Sequence, residues 1–183
     1  MLNQYLKNPR NTGMVVASSS NLARAMTQSC QSYSRVLEIG AGSGAITKEI
    51  IKKVVPEKLI VYEHSPVLCK KLRKSVLNKI PQVLREGPAQ KYKEEILREK
   101  NSIIISSLPF KSLPAEVAKE LIEMLCDFVQ IEGCVVRQYS YVVPLLSKPP
   151  FEVSECFQWE RITTVYANIP PAQVWELRKK QLP

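Results

Sequence analysis

The sequence predicts an α/β protein built on a single doubly wound, mostly parallel β-sheet. Short apolar segments alternate along the chain with segments of helical periodicity, and this alternation is typical of parallel strands joined by helical crossovers. Ser102–Ser106 (SIIIS) is an almost continuous apolar run, as expected for a strand that is buried on both faces. A glycine-rich turn, Gly40–Gly44, follows the first apolar segment.

Each predicted element has a local signal. Ser18–Ser20 provide candidate N-caps for the first helix, and Pro66 suits the first turn of a later one. The predicted strands, in order, are Val36–Ile39, Leu59–Tyr62, Val83–Leu84, Ser102–Ser106, Cys134–Val143 and Ile162–Ala167. The predicted helices run from the serine cap to about Ser29, from about Gly44 to Val54, from Pro66 to about Asn78, over Tyr92–Arg98, and from Pro114 to about Phe128.

Length and composition limit the class of protein. A chain of 183 residues is expected to form one domain, 1–183. Within it, residues 1–30 are expected to form a lid that can also contact a membrane, since Leu2, Tyr5 and Leu6 have helical spacing. The five cysteines include no C-x-x-C pair, and His64 is the only histidine. We therefore expect no metal site and no disulfide framework, but reduced thiols in a cytoplasmic protein.

The charge of the chain is strongly positive. It has 26 Lys and Arg against 17 Asp and Glu, a formal net charge of +9. Such a charge favours an anionic partner, namely nucleic acid, anionic lipid or phosphate groups, although a basic but otherwise ordinary soluble protein also fits. Five basic residues follow Pro66, and they form either a solvated helix face or a lipid contact: Lys70, Lys71, Arg73, Lys74 and Lys79.

Four segments follow directly after predicted strands: Gly40–Gly44, Glu63, Gly87–Ala89 and Ser106–Phe110. In open α/β sheets, ligands bind beyond the carboxyl ends of the strands. We therefore expect these four segments to line one rim and to contact one ligand.

The glycine turn is compatible with more than one role. Gly40-x-Gly42-x-x-Ala45 fits the loose dinucleotide fingerprint, and a turn that only packs a helix on a strand also fits. Glu38 favours S-adenosylmethionine, because E-x-G-x-G-x-G is typical of methyltransferases that use it. We expect Glu38 to hold the loop or to face the cationic amino-acid end of the ligand. Glu63 is expected to accept hydrogen bonds from the ribose hydroxyls.

Five segments together carry a narrower resemblance: Asn8–Met26, Val36–Thr47, Ser106–Phe110 (SSLPF), Arg137–Tyr141 (RQYSY) and Asn168–Arg178 (NIPPAQVWELR). Through them the chain resembles the small bacterial phospholipid N-methyltransferases, which convert phosphatidylethanolamine towards phosphatidylcholine and are related to the ribosomal RNA adenine dimethylases. The resemblance implies the class I, Rossmann-like methyltransferase fold with an antiparallel last strand. It also implies S-adenosyl-L-methionine as cofactor, S-adenosyl-L-homocysteine as product, and a position at the inner face of the membrane.

The sequence departs from its relatives in two places. Nucleobase methylases carry N-L-P-F or D-P-P-Y after the fourth strand, where the Asn or Asp side chain and a proline carbonyl grip a flat amine and the aromatic residue stacks on the base. Here Ser107 replaces that residue, which favours a lipid amine over adenine. Similar enzymes read G-D-A after the third strand, whereas this chain has Pro88 in place of the acid, so we expect altered cofactor binding. RNA adenine methylation and a degenerate, non-catalytic binding module stay open as alternatives. RNA is the less favoured substrate, because no RNA-recognition signature or C-terminal RNA module is present.

The resemblance assigns roles to individual residues. It implies cofactor contacts from Glu38, Gly40, Gly42, Gly44, Glu63, His64, Ala89, Ser106, Ser107 and Leu108. It implies catalytic roles for Tyr141, Tyr139 and Phe110, with Tyr141 as orienting group and base, and substrate contacts from Pro109, Arg137, Asn168 and Trp175. We expect four of these aromatic residues to form a cage for a methylated cation, although each also suits the core: Phe110, Tyr139, Tyr141 and Trp175.

Overall fold

The computed structural model describes residues 19–142 and 148–180, in which seven strands form one sheet of order β3-β2-β1-β4-β5-β7-β6. The first five strands are parallel, and β7 is antiparallel to both of its neighbours. The strands are β1 (Arg35–Ile39), β2 (Leu59–Glu63), β3 (Leu84–Glu86), β4 (Ser102–Ser106), β5 (Val135–Tyr141), β6 (Phe157–Val165) and β7 (Ala172–Lys179).

Within the described residues, five α-helices connect or flank the strands: α1 (Ser20–Met26), α2 (Ala45–Ile51), α3 (Pro66–Lys74), α4 (Lys93–Ile96) and α5 (Ala115–Val129). The predicted serine cap is present, since the Ser19 hydroxyl oxygen accepts from the Leu22 N–H at 3.2 Å. Pro66 occupies the first turn of α3, where its missing N–H costs no hydrogen bond.

The sheet is covered on both faces. Helices α1, α2 and α3 contribute to one hydrophobic cluster, and α4 and α5 contribute to the other. Strand β4 lies between them, with Ile103 and Ile105 in the first cluster and Ile104 in the second. The prediction of a strand buried on both faces is therefore confirmed.

The antiparallel last strand that the resemblance implied is confirmed, but the predicted number and bounds of the final strands are wrong. The sequence predicted one final strand, Ile162–Ala167, whereas β6 begins five residues earlier at Phe157 and β7 follows it. Strand β7 was missed because it carries buried Gln173 and Glu176, which interrupt an apolar pattern. Helices α1 to α4 end before their predicted limits. Strand β5 ends at Tyr141, and Val143 lies outside the described residues.

The parallel strands end at one edge of the sheet, which we call the carboxyl edge. Because β6 is antiparallel to β7 and β7 to β5, β6 runs in the same direction as β1–β5. The β6–β7 turn therefore also lies at this edge. Within 19–142 and 148–180, no helix is long and apolar enough to cross a bilayer.

Candidate functional site

A pocket opens at the carboxyl edge, between the loops that follow β1, β2, β3 and β4. It is lined by all four segments that the sequence placed on one rim, including Gly40, Gly42, Glu63, Gly87–Ala89 and Ser107–Pro109. Backbone hydrogen bonds hold these loops against each other: the Gly40 N–H donates to Tyr62 O and the Ser107 N–H donates to Ile39 O. Three side chains of the β4–α5 segment form an apolar wall: Leu113, Val117 and Leu121.

The Glu63 carboxylate is held in a fixed position at the end of β2. Its Oε2 accepts from the Gly42 N–H at 2.8 Å, and its Oε1 accepts from the Ser65 N–H at 2.8 Å. Each carboxylate oxygen has a second lone pair. Glu63 therefore links the glycine turn to β2 and keeps acceptor capacity for a pair of hydroxyl groups in the pocket.

Glycine is needed at two positions of the turn for different physical reasons. Gly44 is the N-cap of α2 at φ +84°, and a Cβ there would lie 2.8 Å from atoms of Leu72 and Val76. Gly42 has φ +59°, but a Cβ there would meet only the Gly40 carbonyl oxygen, at 3.9 Å. Gly44 thus serves helix packing, whereas Gly42 keeps open a space that faces the pocket. That space fits a ligand that approaches the backbone closely.

Glu38 is completely buried in β1, on the face of the sheet that α2 covers. Neither of its carboxylate oxygens makes a hydrogen bond of ordinary geometry among the described residues, although the hydroxyl and the N–H of Thr47 lie close enough to lower its pKa as donors. Burial raises the pKa of Glu38 to about 8, Thr47 opposes this rise, and the nearby charge of Glu63 adds to it. A buried acid without an ordinary hydrogen bond, next to an open glycine turn, suits a ligand that brings a cationic group.

The turn after β4 is tightly bonded to its surroundings. The Ser106 hydroxyl oxygen accepts from the Leu108 N–H at 3.4 Å. The Leu108 carbonyl oxygen accepts from the Phe110 N–H at 3.0 Å and from Gln138 Nε2 at 3.2 Å. Both lone pairs of this carbonyl are therefore in use. Sequence reasoning did not identify Gln138, although it lies within the RQYSY segment that carried the resemblance.

His64 and Ala89 also line the pocket, as the resemblance implied. The His64 Nδ1 atom is buried and has no partner within the described part of the chain. Sequence reasoning missed Tyr62 and Gln90, which line the same pocket. Their only sequence signal was that each adjoins a residue that had been singled out. Among the residues that the structure describes, no group of three or more His, Cys, Asp or Glu side chains is arranged to hold a metal ion.

The structure does not bring the four aromatic residues of the expected cage together. Tyr139 and Tyr141 form a T-shaped pair with ring centroids 5.5 Å apart, on the face that α1 covers. Trp175 pairs with Gln138 across the strands, so it lies on the opposite face, where its Nε1 donates to the Ser140 hydroxyl. Phe110 packs against Phe151 at 4.7 Å.

Tyr141 does not fit the expected role of base. Burial, together with neighbouring Tyr139, raises the pKa of Tyr141 above its usual value. The hydroxyl therefore keeps its proton at neutral pH and can orient a ligand by hydrogen bonding, but it cannot readily accept a proton.

Two of the expected substrate contacts instead hold the fold together. Arg137 is buried in an ion pair with Glu176 at 2.5 Å, and its Nη1 donates to the Met26 and Gln28 carbonyl oxygens. It is not available to a phosphate group. The Asn168 side chain accepts from the Ser19 N–H at 3.2 Å and donates to the Pro170 carbonyl oxygen. Asn168 thus joins the β6–β7 turn to the beginning of α1.

The strand order and the glycine-turn pocket define an S-adenosylmethionine-dependent methyltransferase of the class I fold. The residues present fit the cofactor: an open backbone at Gly42, a positioned acceptor at Glu63, a buried acid without an ordinary hydrogen bond at Glu38, and an apolar wall. The fold is similar to that of an O-methyltransferase from Bacillus cereus, solved with S-adenosylhomocysteine, with a TM-score of 0.58 and 15% sequence identity. The alignment covers 97% of this chain and 90% of that protein. A dimethyladenosine transferase from Plasmodium falciparum is 15% identical with a TM-score of 0.55, covering 88% of this chain and 62% of its own.

The chain belongs to the ribosomal RNA adenine dimethylase family, whose model matches residues 3–149. Among curated proteins, it is similar to the ornithine lipid N-methyltransferase of Singulisphaera acidiphila. The two are 25% identical over 151 residues, which cover 78% of this chain and 74% of that protein. The predicted fold, enzyme class and cofactor are therefore confirmed.

Proposed function

We propose that this methyltransferase N-methylates lipid amines of the phosphatidylethanolamine type at a membrane surface. The observation that carries the proposal is the hydrogen bonding of the turn after β4. A nucleobase methylase grips a planar amine with an Asn or Asp side chain and a carbonyl of this turn. Here Ser107 has no amide or carboxylate, and the Leu108 carbonyl oxygen already accepts from Phe110 and Gln138. A tetrahedral alkyl amine needs no such planar grip.

The relative from Singulisphaera acidiphila supports a lipid amine as substrate, since that protein is an ornithine lipid N-methyltransferase. The exposed apolar side chains at the carboxyl edge also support contact with a membrane surface. Tyr166 and Ile169 in the β6–β7 turn are 79% and 85% exposed, and Val67 in the first turn of α3 is 77% exposed. Basic side chains of α3 follow Val67, including exposed Lys70, Lys71 and Lys74. Anionic lipid attracts each such side chain with about 1 kcal/mol.

When bound, S-adenosylmethionine supplies an electrophilic methyl group on a sulfonium. The protein must position the acceptor nitrogen and exclude water. The half-buried pair of Tyr139 and Tyr141 offers aromatic faces near the end of β5, and each contact with a methylated cation is worth about 0.5–2 kcal/mol. Since Tyr141 retains its proton, the ammonium proton passes to the phosphate of the lipid itself or to water.

The test incubates purified protein and labelled S-adenosylmethionine with vesicles of phosphatidylethanolamine and an anionic lipid, and in parallel with ribosomal RNA. We expect label in mono- or dimethylated lipid, and stronger labelling as the anionic lipid fraction rises. A Lys70→Glu/Lys74→Glu variant should label less lipid and keep its cofactor binding, since it alters the exposed face of α3 and leaves the pocket intact. Cofactor binding without any lipid label, at every lipid composition, would contradict the proposal.

Methylation of adenine in RNA is the second candidate, because the family match favours it. It predicts label in RNA rather than in lipid. A Ser107→Asn variant separates the two candidates, because it restores the side-chain amide of the planar grip. If the RNA candidate is right, this variant should increase RNA labelling; if the lipid candidate is right, it should leave RNA unlabelled.

A further inference from the structure

The far end of the cofactor pocket has an unusual chemical composition for a site that binds a purine. Glu63 and Gly42 lie at one end of the pocket. There Glu63 can accept from the ribose hydroxyls of the cofactor, and Gly42 leaves space for the cofactor to approach the backbone. The other end, towards β3 and α5, is formed mainly by Pro88, Ala89 and the apolar wall. The side chains of these groups can sandwich a flat base but make no hydrogen bond to its edge. Pro88 offers neither a polar side chain nor an N–H.

Gln90 and Ser112 are polar residues that line this end of the pocket, and Gln90 has the longer side chain. It lies in the short 3₁₀ segment Ala89–Tyr92, directly after the loop that follows β3, and its half-buried side chain lines the pocket. Gln90 Nε2 donates to Glu120 Oε2 on α5 at 3.4 Å. Because an ionised carboxylate can only accept, Glu120 fixes which end of the amide is nitrogen. Gln90 Oε1 has no recorded partner among the described residues, and it is an acceptor.

We infer that the Gln90 side chain, oriented by Glu120, is the group that recognises the adenine of the cofactor. Gln90 Oε1 accepts a hydrogen bond from the 6-amino group. In this chain Gln90 thereby takes over an acceptor role that Pro88 cannot fill. The inference concerns the specificity of cofactor binding, so it does not depend on whether lipid or RNA is methylated.

The experiment compares two ligands that differ at one position of the base. S-Adenosyl-L-homocysteine has the 6-amino group, and S-inosyl-L-homocysteine has a 6-oxo group in its place. Dissociation constants are measured by isothermal titration calorimetry for the wild-type protein, Gln90→Met and Glu120→Gln. Gln82→Leu is the matched control, because Gln82 is an exposed glutamine that does not line the pocket.

The wild-type protein and Gln82→Leu should prefer the adenosyl ligand by roughly three- to tenfold, the value of one net hydrogen bond. In Gln90→Met the preference should fall below twofold through weaker binding of the adenosyl ligand, with binding of the inosyl ligand unchanged. Glu120→Gln should also reduce the preference for the adenosyl ligand, but through tighter binding of the inosyl ligand. Once released from the carboxylate, the Gln90 amide can rotate and donate to the 6-oxo group, so the inosyl ligand gains affinity.

Absence of a preference in the wild-type protein, or a wild-type preference in Gln90→Met, would overturn the inference. A melting temperature recorded for each variant, with and without the adenosyl ligand, separates loss of recognition from loss of folding. No methyl acceptor is present in any of these measurements, so their outcome is distinct from that of the lipid assay.

Discussion

Replacement of Glu38 by Gln tests the most unusual electrostatic feature of the site. The carboxyl group is completely buried in β1 and makes no hydrogen bond of ordinary geometry among the described residues. Its pKa is raised from an ordinary value of 4.5 to about 8, chiefly by burial, with the charge of Glu63 as an additional cause. Gln has nearly the same shape but cannot ionise. The variant therefore removes the titration and keeps the volume.

The sign of the effect follows from the direction of the pKa change. Between the unfolded pKa of 4.5 and the folded pKa of about 8, the native protein holds a proton that the unfolded chain releases. The contribution of this group to the free energy of unfolding is therefore fully present below pH 4.5 and is lost as the pH rises to about 8. Between pH 5 and pH 8 this single group lowers the free energy of unfolding by about 3 kcal/mol.

Urea unfolding of the wild-type protein and Glu38→Gln at pH 5, 6, 7 and 8 measures this change. Other titrating groups are common to both proteins, so they cancel in the difference between the two curves. We expect Glu38→Gln to gain about 3 kcal/mol relative to the wild-type protein between pH 5 and pH 8. Glu57→Gln, which alters an exposed carboxylate, should follow the wild-type curve. Parallel curves for the wild-type protein and Glu38→Gln would refute the reasoning.

The same group should couple the cofactor to pH. If Glu38 faces the cationic amino-acid end of the cofactor, binding favours its ionised form. By linkage, the affinity of the wild-type protein for S-adenosylhomocysteine should rise from pH 6 to pH 8, with release of a proton, whereas that of Glu38→Gln should stay flat. Calorimetry in two buffers of different ionisation enthalpy measures the proton directly. Equal proton release by both proteins would show that Glu38 does not contact the ligand.

The contacts of the glycine turn, of Arg137 and of Tyr141 predict the effects of three further sets of substitutions. Gly42→Ala and Gly44→Ala both place a side chain at positive φ, but only Gly44→Ala clashes with α3 and the segment after it. Calorimetry should therefore show loss of cofactor binding in Gly42→Ala. Urea unfolding should show that Gly44→Ala is destabilised by about 1–3 kcal/mol more than Gly42→Ala. Arg137→Met should cost about 3 kcal/mol of stability, and Arg137→Met/Glu176→Leu should recover part of it in urea unfolding, since the single variant leaves buried Glu176 with only the half-exposed Arg178 as a partner. Tyr141→Phe should keep the pH profile of methylation, because Tyr141 is not the base; a shifted alkaline limb would contradict this.

The cofactor half of the site was predictable from the sequence because its chemistry depends on local backbone geometry. Gly42 and Glu63 are fixed by the strand ends that carry them, and parallel strands bring those ends to one edge. A short motif is enough to indicate such an arrangement. What the motif did not indicate is that Gly44 serves helix packing rather than the ligand.

The acceptor half was less predictable because it depends on which strands become neighbours. Trp175 was expected beside Tyr139 and Tyr141, but the antiparallel β7 sets it opposite Gln138 and hence on the other face. The same strand brings Glu176 to Arg137 and removes that arginine from any phosphate contact. An antiparallel last strand was expected, but it had not been located at Ala172–Lys179, so neither pairing was accessible from the sequence.

Acceptor specificity in this fold can be argued from the hydrogen-bonding capacity of one turn. The Leu108 carbonyl has two lone pairs, which accept from the Phe110 N–H and from Gln138 Nε2. A planar amine that sought this carbonyl would have to displace one of them. Displacing Gln138 would cost this buried amide one of its two hydrogen bonds, since its Nε2 also donates to the Tyr139 carbonyl oxygen at 3.1 Å, and the net value of such a bond is about 0.5–1.5 kcal/mol. Gln138 on β5 therefore adds to the effect of Ser107 in disfavouring a nucleobase, although it lies outside the motif by which such enzymes are recognised.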